Sequence, residues 1–444
     1  MTANPDLAFG LDLPDLKCKT SAVGHEIGKT DPAVSAGDAK EGEPMKQILI
    51  GLGAVLLMLG AQGCGSLADK ASGPQENGNG YTALDNAVRQ AIVTQVTQSG
   101  DSMSGSMHQY GSDEDSKAPY TIVKVFFGTN RKPLDSPTNN IEFGTERQSK
   151  LTLGEAWVTI PRDHRMGKME SPHWYKLEFS EDIAKDVVLA RAVLFTKKDF
   201  VNRINNALDR TSTKEALVFI HGYNVNFPDA IKETGQLTYD LGFHGVALAY
   251  SWPSQGKLIE HWAYTADENN AQWSASHLEE FLKILATNLK AERIHLVAHS
   301  MGNRVMLEAL KNLKDKGLYD DIIMAAPDID ADFFKADCIP YVVGTNVQVT
   351  LYASSNDKAM KIAKTLNGHY LRAGEAGESI VVYPGMDSVD ASLVDTDLVG
   401  HSYVAENRSV ISDIFPIVHN RAKASERNLR PEGAEANRYW VIPQ

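Results

Sequence analysis

The sequence predicts an α/β protein whose central sheet is mostly parallel and is covered by helices on both faces. From about residue 215 to residue 417, short apolar runs alternate with longer segments of helical periodicity. Such alternation is typical of parallel strands, because each strand returns to the same end of the sheet through a helix. The runs at 216–220 and 294–298 are apolar at almost every position. Runs of this kind are typical of strands that are buried on both faces of the sheet.

The same patterns place the strands and helices along the chain. Runs rich in Val, Ile, Phe and Tyr predict strands, and apolar residues spaced three and four apart predict helices. Trp252 and Pro253 end one strand abruptly, because a proline cannot donate to the ladder and holds the preceding residue extended. The predicted strands are 121–127, 155–160, 187–194, 216–220, 246–252, 294–298, 322–326, 347–352 and 379–383. The predicted helices are 198–208, 229–241, 267–289, 302–313, 357–366 and 404–417.

Composition argues against several classes of protein. Apolar residues make up 43% of the 444 residues, which is enough for a sizeable core. The formal net charge of −13 argues against a nucleic-acid partner, because binding phosphates requires clustered Lys and Arg. Cys18, Cys64 and Cys338 are too few for a disulfide framework or a four-cysteine zinc site. The chain also has no HExxH motif and no glycine-rich phosphate or dinucleotide motif, so we expect no cofactor and no metal.

A short apolar segment precedes the predicted domain. Lys46 is followed by an apolar run over residues 48–60. Such a run is too short to cross a bilayer but is typical of a signal peptide, and we expect a lipoprotein-type signal segment over residues 45–64. The sequence Ala-Gln-Gly-Cys at its end resembles the lipobox of bacterial lipoproteins, whose cysteine carries lipid. We therefore expect lipid attachment at Cys64, membrane association through that anchor, and a location at the bacterial cell envelope facing the periplasm.

The remaining boundaries follow from composition. Residues 1–44 are acidic and unsuited to a positively charged n-region, so we expect a mis-assigned, non-structural extension there. Residues 65–118 are rich in Ser, Gly, Asn and Asp and predict a flexible linker. Folding signals begin near Tyr120, and we expect one domain over 119–420 with a C-terminal tail over 421–444.

The strongest catalytic signal lies where the strand 294–298 runs through His299, Ser300 and Met301 into a helix. A serine in a strand–turn–helix segment is typical of a nucleophile elbow. The turn is tight, so the positions two before and two after the serine need small residues, and Ala298 and Gly302 occupy them. The start of a helix also favours a developing anion. We expect Ser300 to be the nucleophile; the alternative interpretation is a helix cap.

A second motif lies upstream, where the strand 216–220 runs into His221-Gly222-Tyr223-Asn224. In proteins with such an elbow, the loop after this strand supplies one N–H group of the oxyanion hole, and the residue after the nucleophile supplies the other. The predicted donors are the backbone N–H groups of Tyr223 and Met301. His221 precedes Ser300 in the chain and is expected to stabilise the loop.

A serine hydroxyl at neutral pH needs a base, and in this arrangement an acid and then a histidine follow the serine along the chain. His401 lies after the last predicted strand and before the last helix, so we expect it to be the base. Asp357 follows the strand 347–352 and is the preferred acid, whereas Asp328, after the preceding strand, is the alternative. The weaker candidates in the following loop are Asp387, Asp390, Asp395 and Asp397.

These motifs together resemble a bacterial α/β-hydrolase family of uncharacterised function within the esterase/lipase superfamily. The resemblance covers about residues 123–417 and implies an α/β-hydrolase fold with a Ser–Asp–His triad. The family has no settled substrate, so the resemblance implies none. The residues that carry it are Phe127-Gly128-Thr129-Asn130-Arg131, Val218-Phe219-Ile220-His221-Gly222-Tyr223-Asn224, Ser251-Trp252-Pro253-Ser254, Ala298-His299-Ser300-Met301-Gly302-Asn303-Arg304 and Ala326-Pro327-Asp328-Ile329-Asp330.

The expected activity is hydrolysis of a small carboxylic ester through an acyl-enzyme on Ser300. Few residues separate the strands 322–326 and 347–352, so we expect no large lid there and an open site suited to soluble, short-chain esters. Acyltransferase, thioesterase and peptidase activities use the same triad and stay open. A further alternative, from another class, is a catalytically idle envelope protein that uses the fold for binding.

Overall fold

The structure, a computed structural model, describes residues 118–135, 141–172, 180–255, 261–313, 319–344, 346–355, 370–394 and 406–444. Cys64, Asp357, His401 and the predicted helix 357–366 lie outside the described residues. Within the described ranges, none of the helices combines the length and the apolar character that a bilayer span requires.

The strands and helices of the described residues alternate along the middle of the chain. The strands are β1 (Tyr120–Leu134), β2 (Glu142–Pro161), β3 (Val188–Phe195), β4 (Glu215–Ile220), β5 (Val246–Ser251), β6 (Arg293–His299), β7 (Asp321–Ala325), β8 (Gln348–Ala353), β9 (Met386–Asp390), β10 (Arg430–Glu432) and β11 (Tyr439–Val441). The helices are α1 (Lys197–Leu208), α2 (Phe227–Asp240), α3 (His261–Asn288), α4 (Gly302–Asn312), α5 (Ala331–Phe333), α6 (Ile339–Val342) and α7 (Arg408–Asn420), with a π-helical turn, Phe334–Cys338, between α5 and α6.

All of these strands belong to one sheet of the described chain, in the order β10-β11-β9-β8-β7-β6-β4-β5-β1-β2-β3. Every pairing from β11 to β1 is parallel. The pairs β1–β2, β2–β3 and β10–β11 at the two ends are antiparallel. The prediction of a mostly parallel sheet is therefore confirmed.

Both faces of the central strands are buried. In β4, Ala216, Val218 and Ile220 point into one core cluster, while Leu217 and Phe219 point into the other. Helices α1, α3 and α4 contribute to the first cluster, and α2 and α7 to the second. Burying a side chain such as Phe219 contributes on the order of 1.5–3 kcal/mol, which explains why strands with two buried faces are apolar throughout.

The register of the central strands brings three loops together at the carboxyl edge of the sheet. Ile220 of β4 lies beside Ala298 of β6, and Ala298 lies beside Met324 of β7. The residues that follow these three positions therefore leave the sheet next to one another. Ser300 and the loop after β4, which were both predicted from the sequence as parts of the site, lie at this edge.

Two predicted elements differ from the structure. The predicted strand 379–383 is not formed: Gly377–Ser379 is a 3₁₀ turn, and the strand that pairs with β8 is β9, Met386–Asp390. Gly385, with φ of +83°, makes the turn that leads into β9. Asp387 and Asp390 consequently lie on a strand and not in the acidic loop where the sequence placed them.

The segment 421–444 also differs, because it was expected to be a tail and instead extends the sheet. β11 pairs in parallel with β9, and β10 pairs with β11. Arg427, which precedes this hairpin, is buried and donates to Asp413 at 2.7 Å and to the hydroxyl of Tyr352 at 3.1 Å. The boundary at residue 420 is therefore wrong, and the folded domain includes these strands.

Candidate active site

Ser300 occupies a sharp turn between β6 and α4. Its φ is +48°, a conformation that costs an L-residue about 1–2 kcal/mol. The turn is fixed from both sides. The Ser300 N–H donates to the carbonyl of Ala325 at 2.9 Å, and the side-chain amide of Asn303 donates to the Ser300 carbonyl at 3.0 Å. The strained serine between a buried strand and a helix is the geometry of a nucleophile elbow.

Gly302 allows the elbow to pack against the end of β4. A Cβ at this position would lie 2.7 Å from the carbonyl oxygen of Ile220 and would overlap that of His221. Backbone oxygens cannot yield as a flexible side chain can, so a glycine is required. Ala298, on the other side of the serine, is fully buried and fits the space as alanine.

The loop after β4 lies directly against Ser300. A Cβ built on Gly222 would be 3.2 Å from the Cβ of Ser300. Tyr223 follows Gly222, and Met301 follows Ser300, so the two predicted oxyanion donors lie on the segments that meet at the serine. Within the described part of the chain, no hydrogen-bond acceptor is found for either backbone N–H. Both N–H groups are thus available to an oxyanion.

His221 holds this loop in place. Its Nε2 accepts the backbone N–H of Trp252 at 3.1 Å, so the proton is on Nδ1, which donates to the carbonyl of Gly222 at 2.8 Å. The ring also stacks on the Trp252 indole, with 5.1 Å between centroids and 8° between planes. Burial and the nearby Arg131 guanidinium hold the pKa of His221 well below its usual value. A neutral ring with both nitrogens engaged cannot act as a general base.

A buried arginine supports the same loop from the other side. Arg131, on β1, donates to the carbonyl of Val225 at 2.7 Å, to the hydroxyl of Ser251 at 2.9 Å and to the carbonyl of Ser254 at 3.1 Å. Burial lowers its pKa to about 9 although Asp267 and Asp229 raise it, so the guanidinium stays charged at neutral pH. The sequence motif Phe127–Arg131 includes this arginine but does not indicate that it supports a loop more than 90 residues later.

Asp267, at the start of α3, completes this network. Its carboxylate accepts the hydroxyl of Ser254, the N–H of Gln255 at 2.8 Å and, in a long hydrogen bond of 3.5 Å, the N–H of Asn224. Burial raises the pKa of Asp267 to about 6 against these hydrogen bonds. The sequence predicted nothing for this residue, because an aspartate in a helix with other acidic residues has no distinguishing local pattern.

Asp328, the alternative acid, lies beside the elbow. Its N–H donates to the Ser300 carbonyl at 3.3 Å. Both carboxylate oxygens are engaged: Oδ1 by the guanidinium of Arg372 at 2.8 and 2.7 Å, and Oδ2 by the Tyr264 hydroxyl at 2.6 Å. Arg304 donates to the carbonyl of the same residue at 2.7 Å. In the described chain Asp328 therefore organises a buried polar cluster next to the serine.

His299 packs against residues 221–225, the loop after β4 that we name the oxyanion loop. Its Nδ1 would lie 2.7 Å from a Cβ on Gly222, and this nitrogen has no hydrogen-bond partner among the described residues. Burial lowers the pKa of His299 to about 4, so the ring is neutral at pH 7. Its packing is a second reason why position 222 holds a glycine.

The structure thus brings together Ser300, Tyr223 and Met301, with Asp328 adjacent. The predicted base His401 and the preferred acid Asp357 are among the residues outside the described ranges, as are Asp395 and Asp397. Asp387 accepts the N–H of Ala424 at 3.0 Å, at the C-terminal hairpin. In the described residues, no group of three or more His, Cys, Asp or Glu side chains is arranged to hold a metal ion.

Comparison with known proteins supports the fold. A family model described as alpha/beta hydrolase of unknown function (DUF900) matches residues 196–421. An uncharacterised protein of Nostoc sp. (strain PCC 7120) is 25% identical over 216 residues, which are 42% of this chain and 50% of that protein. The match thus spans half of the relative's length.

Two solved structures are similar at a lower level. A protein from Capnocytophaga ochracea has 9% identity and a TM-score of 0.30, with 67% of this chain and 63% of that chain covered. Esterase B from Lactobacillus rhamnosis has 11% identity and a TM-score of 0.25, with 64% and 81% covered. Likenesses this low support no statement about activity.

The family model spans just over half of the chain, and the region that it matches contains the elbow, the oxyanion loop and most of the parallel sheet. This chain therefore belongs to the family of alpha/beta hydrolases of unknown function, and it has the α/β-hydrolase fold that its motifs predicted.

Proposed function

We propose that this protein is a serine hydrolase that cleaves carboxylic esters through an acyl-enzyme on Ser300. The Ser300 Oγ attacks the ester carbonyl while His401 takes the hydroxyl proton. The carbonyl oxygen becomes an oxyanion and accepts the N–H groups of Tyr223 and Met301. Collapse of this intermediate breaks the bond to the alcohol, which leaves with the proton from His401. Water then attacks the acyl-enzyme by the same steps and releases the acid.

The observation that carries this proposal is the strained elbow in contact with the oxyanion loop. A positive φ at a serine costs stability, and such strain is concentrated at functional sites. With this backbone conformation, Ser300 is partly exposed at the carboxyl edge of the sheet. Its Cβ lies within van der Waals distance of a Cβ placed on Gly222. A serine that only capped a helix would need neither the strain nor the adjacent loop.

We propose Asp357 as the acid that orients His401. The carboxylate oxygens of Asp328 are already engaged by Arg372 and Tyr264, so its use as the acid would require breaking a buried ion pair. Asp357→Asn should then lower kcat by about 10⁴-fold with little loss of stability, because the histidine takes the wrong tautomer. Asp328→Asn should instead destabilise the fold by about 3–5 kcal/mol, because it leaves a buried arginine unpaired.

The proposal is tested with a fluorophosphonate probe and a panel of p-nitrophenyl esters of graded acyl length. The wild-type chain should be labelled and should hydrolyse short-chain esters fastest. Ser300→Ala should lose both labelling and turnover. Ser276→Ala removes an exposed serine of α3 and should behave as the wild type.

A folded wild-type protein that the probe does not label would overturn the proposal in favour of a binding protein without activity. Labelling together with hydrolysis of thioesters or peptides but not of oxygen esters would keep the nucleophile and change the substrate class. Retention of ester turnover in Ser300→Ala would assign the activity to another group.

We further propose that lipid on Cys64 anchors the enzyme to a bacterial envelope membrane. The support is the apolar run over residues 48–60 and the lipobox-like sequence that ends in this cysteine. The stretch of Ser, Gly and Asn that follows is suited to a tether, because it has too few apolar residues to fold by itself.

A further inference from the structure

The oxyanion loop, residues 221–225, is fixed by contacts with distant parts of the chain. Asn224 has φ of +61°, so the loop passes through a left-handed residue immediately after Tyr223. His221 accepts two hydrogen bonds from Trp252, from its backbone N–H and from its indole N–H, and the carbonyl of Val225 accepts one from Arg131. Such external support is expected where a backbone donor must be preorganised for a transition state.

Two further loop N–H groups depend on a single carboxylate. The N–H of Asn224 donates to Oδ2 of Asp267 at 3.5 Å. The N–H of Val225 donates to the hydroxyl oxygen of Ser254 at 3.3 Å, and that hydroxyl in turn donates to Asp267. Because the Ser254 hydroxyl donates its proton to the carboxylate, its oxygen is oriented to accept the N–H of Val225. Asp267 thus holds the loop directly and through Ser254.

Each group that contacts Asp267 in this network is a donor: the hydroxyl of Ser254 and the N–H groups of Gln255 and Asn224. The network is therefore complete only when the carboxylate is ionised. The charged or titratable groups that face it are Arg131 from β1 and Tyr223 from the oxyanion loop, with Asp229 of α2 acting on Arg131.

We propose that Asp267 is a positioning residue for the oxyanion hole, and that its ionised carboxylate fixes the two peptides that follow Tyr223: the one between Tyr223 and Asn224 directly, and the one between Asn224 and Val225 through Ser254. The proposal rests on the serine-hydrolase function. Full turnover consequently depends on two deprotonated groups at the acidic end of the pH range, the catalytic base and Asp267. Among the described residues, Asp267 makes its hydrogen bonds to Asn224, Ser254 and Gln255 and none to Ser300, so it acts through the loop.

Protonation of Asp267 has opposite effects on turnover and on stability. Burial raises its pKa from 3.8 to about 6 in the folded protein. A group whose pKa is raised by folding adds stability that is full below pH 3.8 and is lost as the pH rises through about 6. Acidification through pH 6 therefore does not unfold the protein through this group. Protonation of Asp267 replaces a hydrogen-bond acceptor of the oxyanion loop by a donor, so turnover falls while the enzyme stays folded.

The experiment is the dependence of log(kcat/KM) on pH between 4.5 and 8 for a short-chain ester. The acid limb of the wild type should approach a slope of 2. Asp267→Asn should have a slope of 1 and a kcat about 10- to 100-fold lower at its plateau, with KM little changed, because the lost contact acts on the transition state. Circular dichroism at each pH monitors folding.

Ser254→Ala supplies the second variant, in case Asp267→Asn does not fold. It keeps the carboxylate but removes one donor to its ionised form, so the acid limb should keep its slope of 2 and move to higher pH. Ser276→Ala, on the exposed face of the same helix as Asp267, should retain the wild-type profile.

The possible failures can be separated. A wild type that is labelled at Ser300 and shows a slope of 1, unchanged in Asp267→Asn or unshifted in Ser254→Ala, overturns the role of Asp267 and leaves the hydrolase intact. A folded wild type that is neither labelled nor active removes the proposed function itself, and the role of Asp267 with it.

Discussion

Ser300 has a backbone conformation that glycine adopts without strain and that serine does not. At φ of +48° a side chain costs about 1–2 kcal/mol. We therefore expect Ser300→Gly to be more stable than Ser300→Ala by about 1 kcal/mol, although both lack the proposed nucleophile. The measurement is the free energy of unfolding in urea for the two variants.

The control for this comparison is Ser276, an exposed residue inside α3. Glycine there should be less stable than alanine by about 1 kcal/mol, because glycine is disfavoured within a helix. The two positions should thus give opposite signs. If glycine is the less stable substitution at both, the elbow of Ser300 is not strained in solution.

The local residues of the site could be predicted from the sequence, and its supports could not. Ser300, Met301 and Tyr223 follow buried strands directly, so an apolar run and a small neighbour are enough to select them. Asp267 contacts a loop more than 40 residues earlier in the chain, and Arg131 contacts residues even farther along. Such long-range contacts leave no periodic pattern in the sequence. They are recognised only in the folded structure, where a buried charge must have partners.

At the scale of elements, His164 connects the loop after β2 to the end of α2. Its ring lies between Glu170 at 2.6 Å and Asp240 at 2.8 Å. Burial lowers its pKa, but the hydrogen bonds and charges of the two carboxylates outweigh burial and raise it to about 9. The folded protein therefore holds the proton more tightly than the unfolded chain does.

The sign of the pH dependence follows from this difference. The stability that His164 contributes is fully present below about pH 6.5 and is lost as the pH rises through about 9, in total on the order of 3 kcal/mol. Urea unfolding from pH 6 to 9.5 should show this fall in the wild type and a flatter curve in His164→Gln. His277→Gln, on α3, should follow the wild type. Equal slopes for wild type and His164→Gln would contradict the assignment.

The C-terminal hairpin depends on a buried ion pair between two elements. Arg427 precedes β10, and its partner Asp413 lies on α7, with side-chain exposures of 0% and 6%. Arg427→Leu should lower the free energy of unfolding by about 3–5 kcal/mol, because Asp413 is left buried without its cation. Chemical denaturation is the measurement.

The double variant Arg427→Leu with Asp413→Leu distinguishes charge from packing. It should recover most of the lost stability, because two apolar side chains can replace a buried pair. The hydroxyl of Tyr352 also donates to Asp413 at 2.6 Å, so recovery should be incomplete. A double variant as unstable as the single one would mean that the hairpin is held by contacts other than this pair.

At the scale of the whole molecule, the strands that are buried on both faces have the clearest pattern in the sequence. β4 is apolar at every position after Glu215, and residues 294–298 of β6 are apolar except for His295; this pattern has few alternatives to a buried strand. At the N-terminal antiparallel end, the predicted strand 187–194 matches β3, and the predicted strands 121–127 and 155–160 are shorter than β1 and β2, whereas the antiparallel pair at the C-terminal end was not predicted. β10, Arg-Pro-Glu, is short, polar and largely exposed, so it has no hydrophobic period to recognise. Its place in the sheet is decided by the pairing of β11 with β9, which is long-range.

The proposed anchor makes a prediction for the whole chain. If Cys64 carries lipid, expression in a bacterial host should place the wild type in the detergent phase of a Triton X-114 partition. Cys64→Ser should move to the aqueous phase, because the formal net charge of −13 gives the rest of the chain no attraction to anionic membranes. Ester turnover of the variant in the aqueous phase should equal that of the wild type, because Cys64 is far along the sequence from Ser300 and from the loop after β4. Cys338→Ala removes a buried cysteine of the folded domain and should stay in the detergent phase. A Cys64→Ser protein that partitions as the wild type does would show that Cys64 carries no lipid anchor.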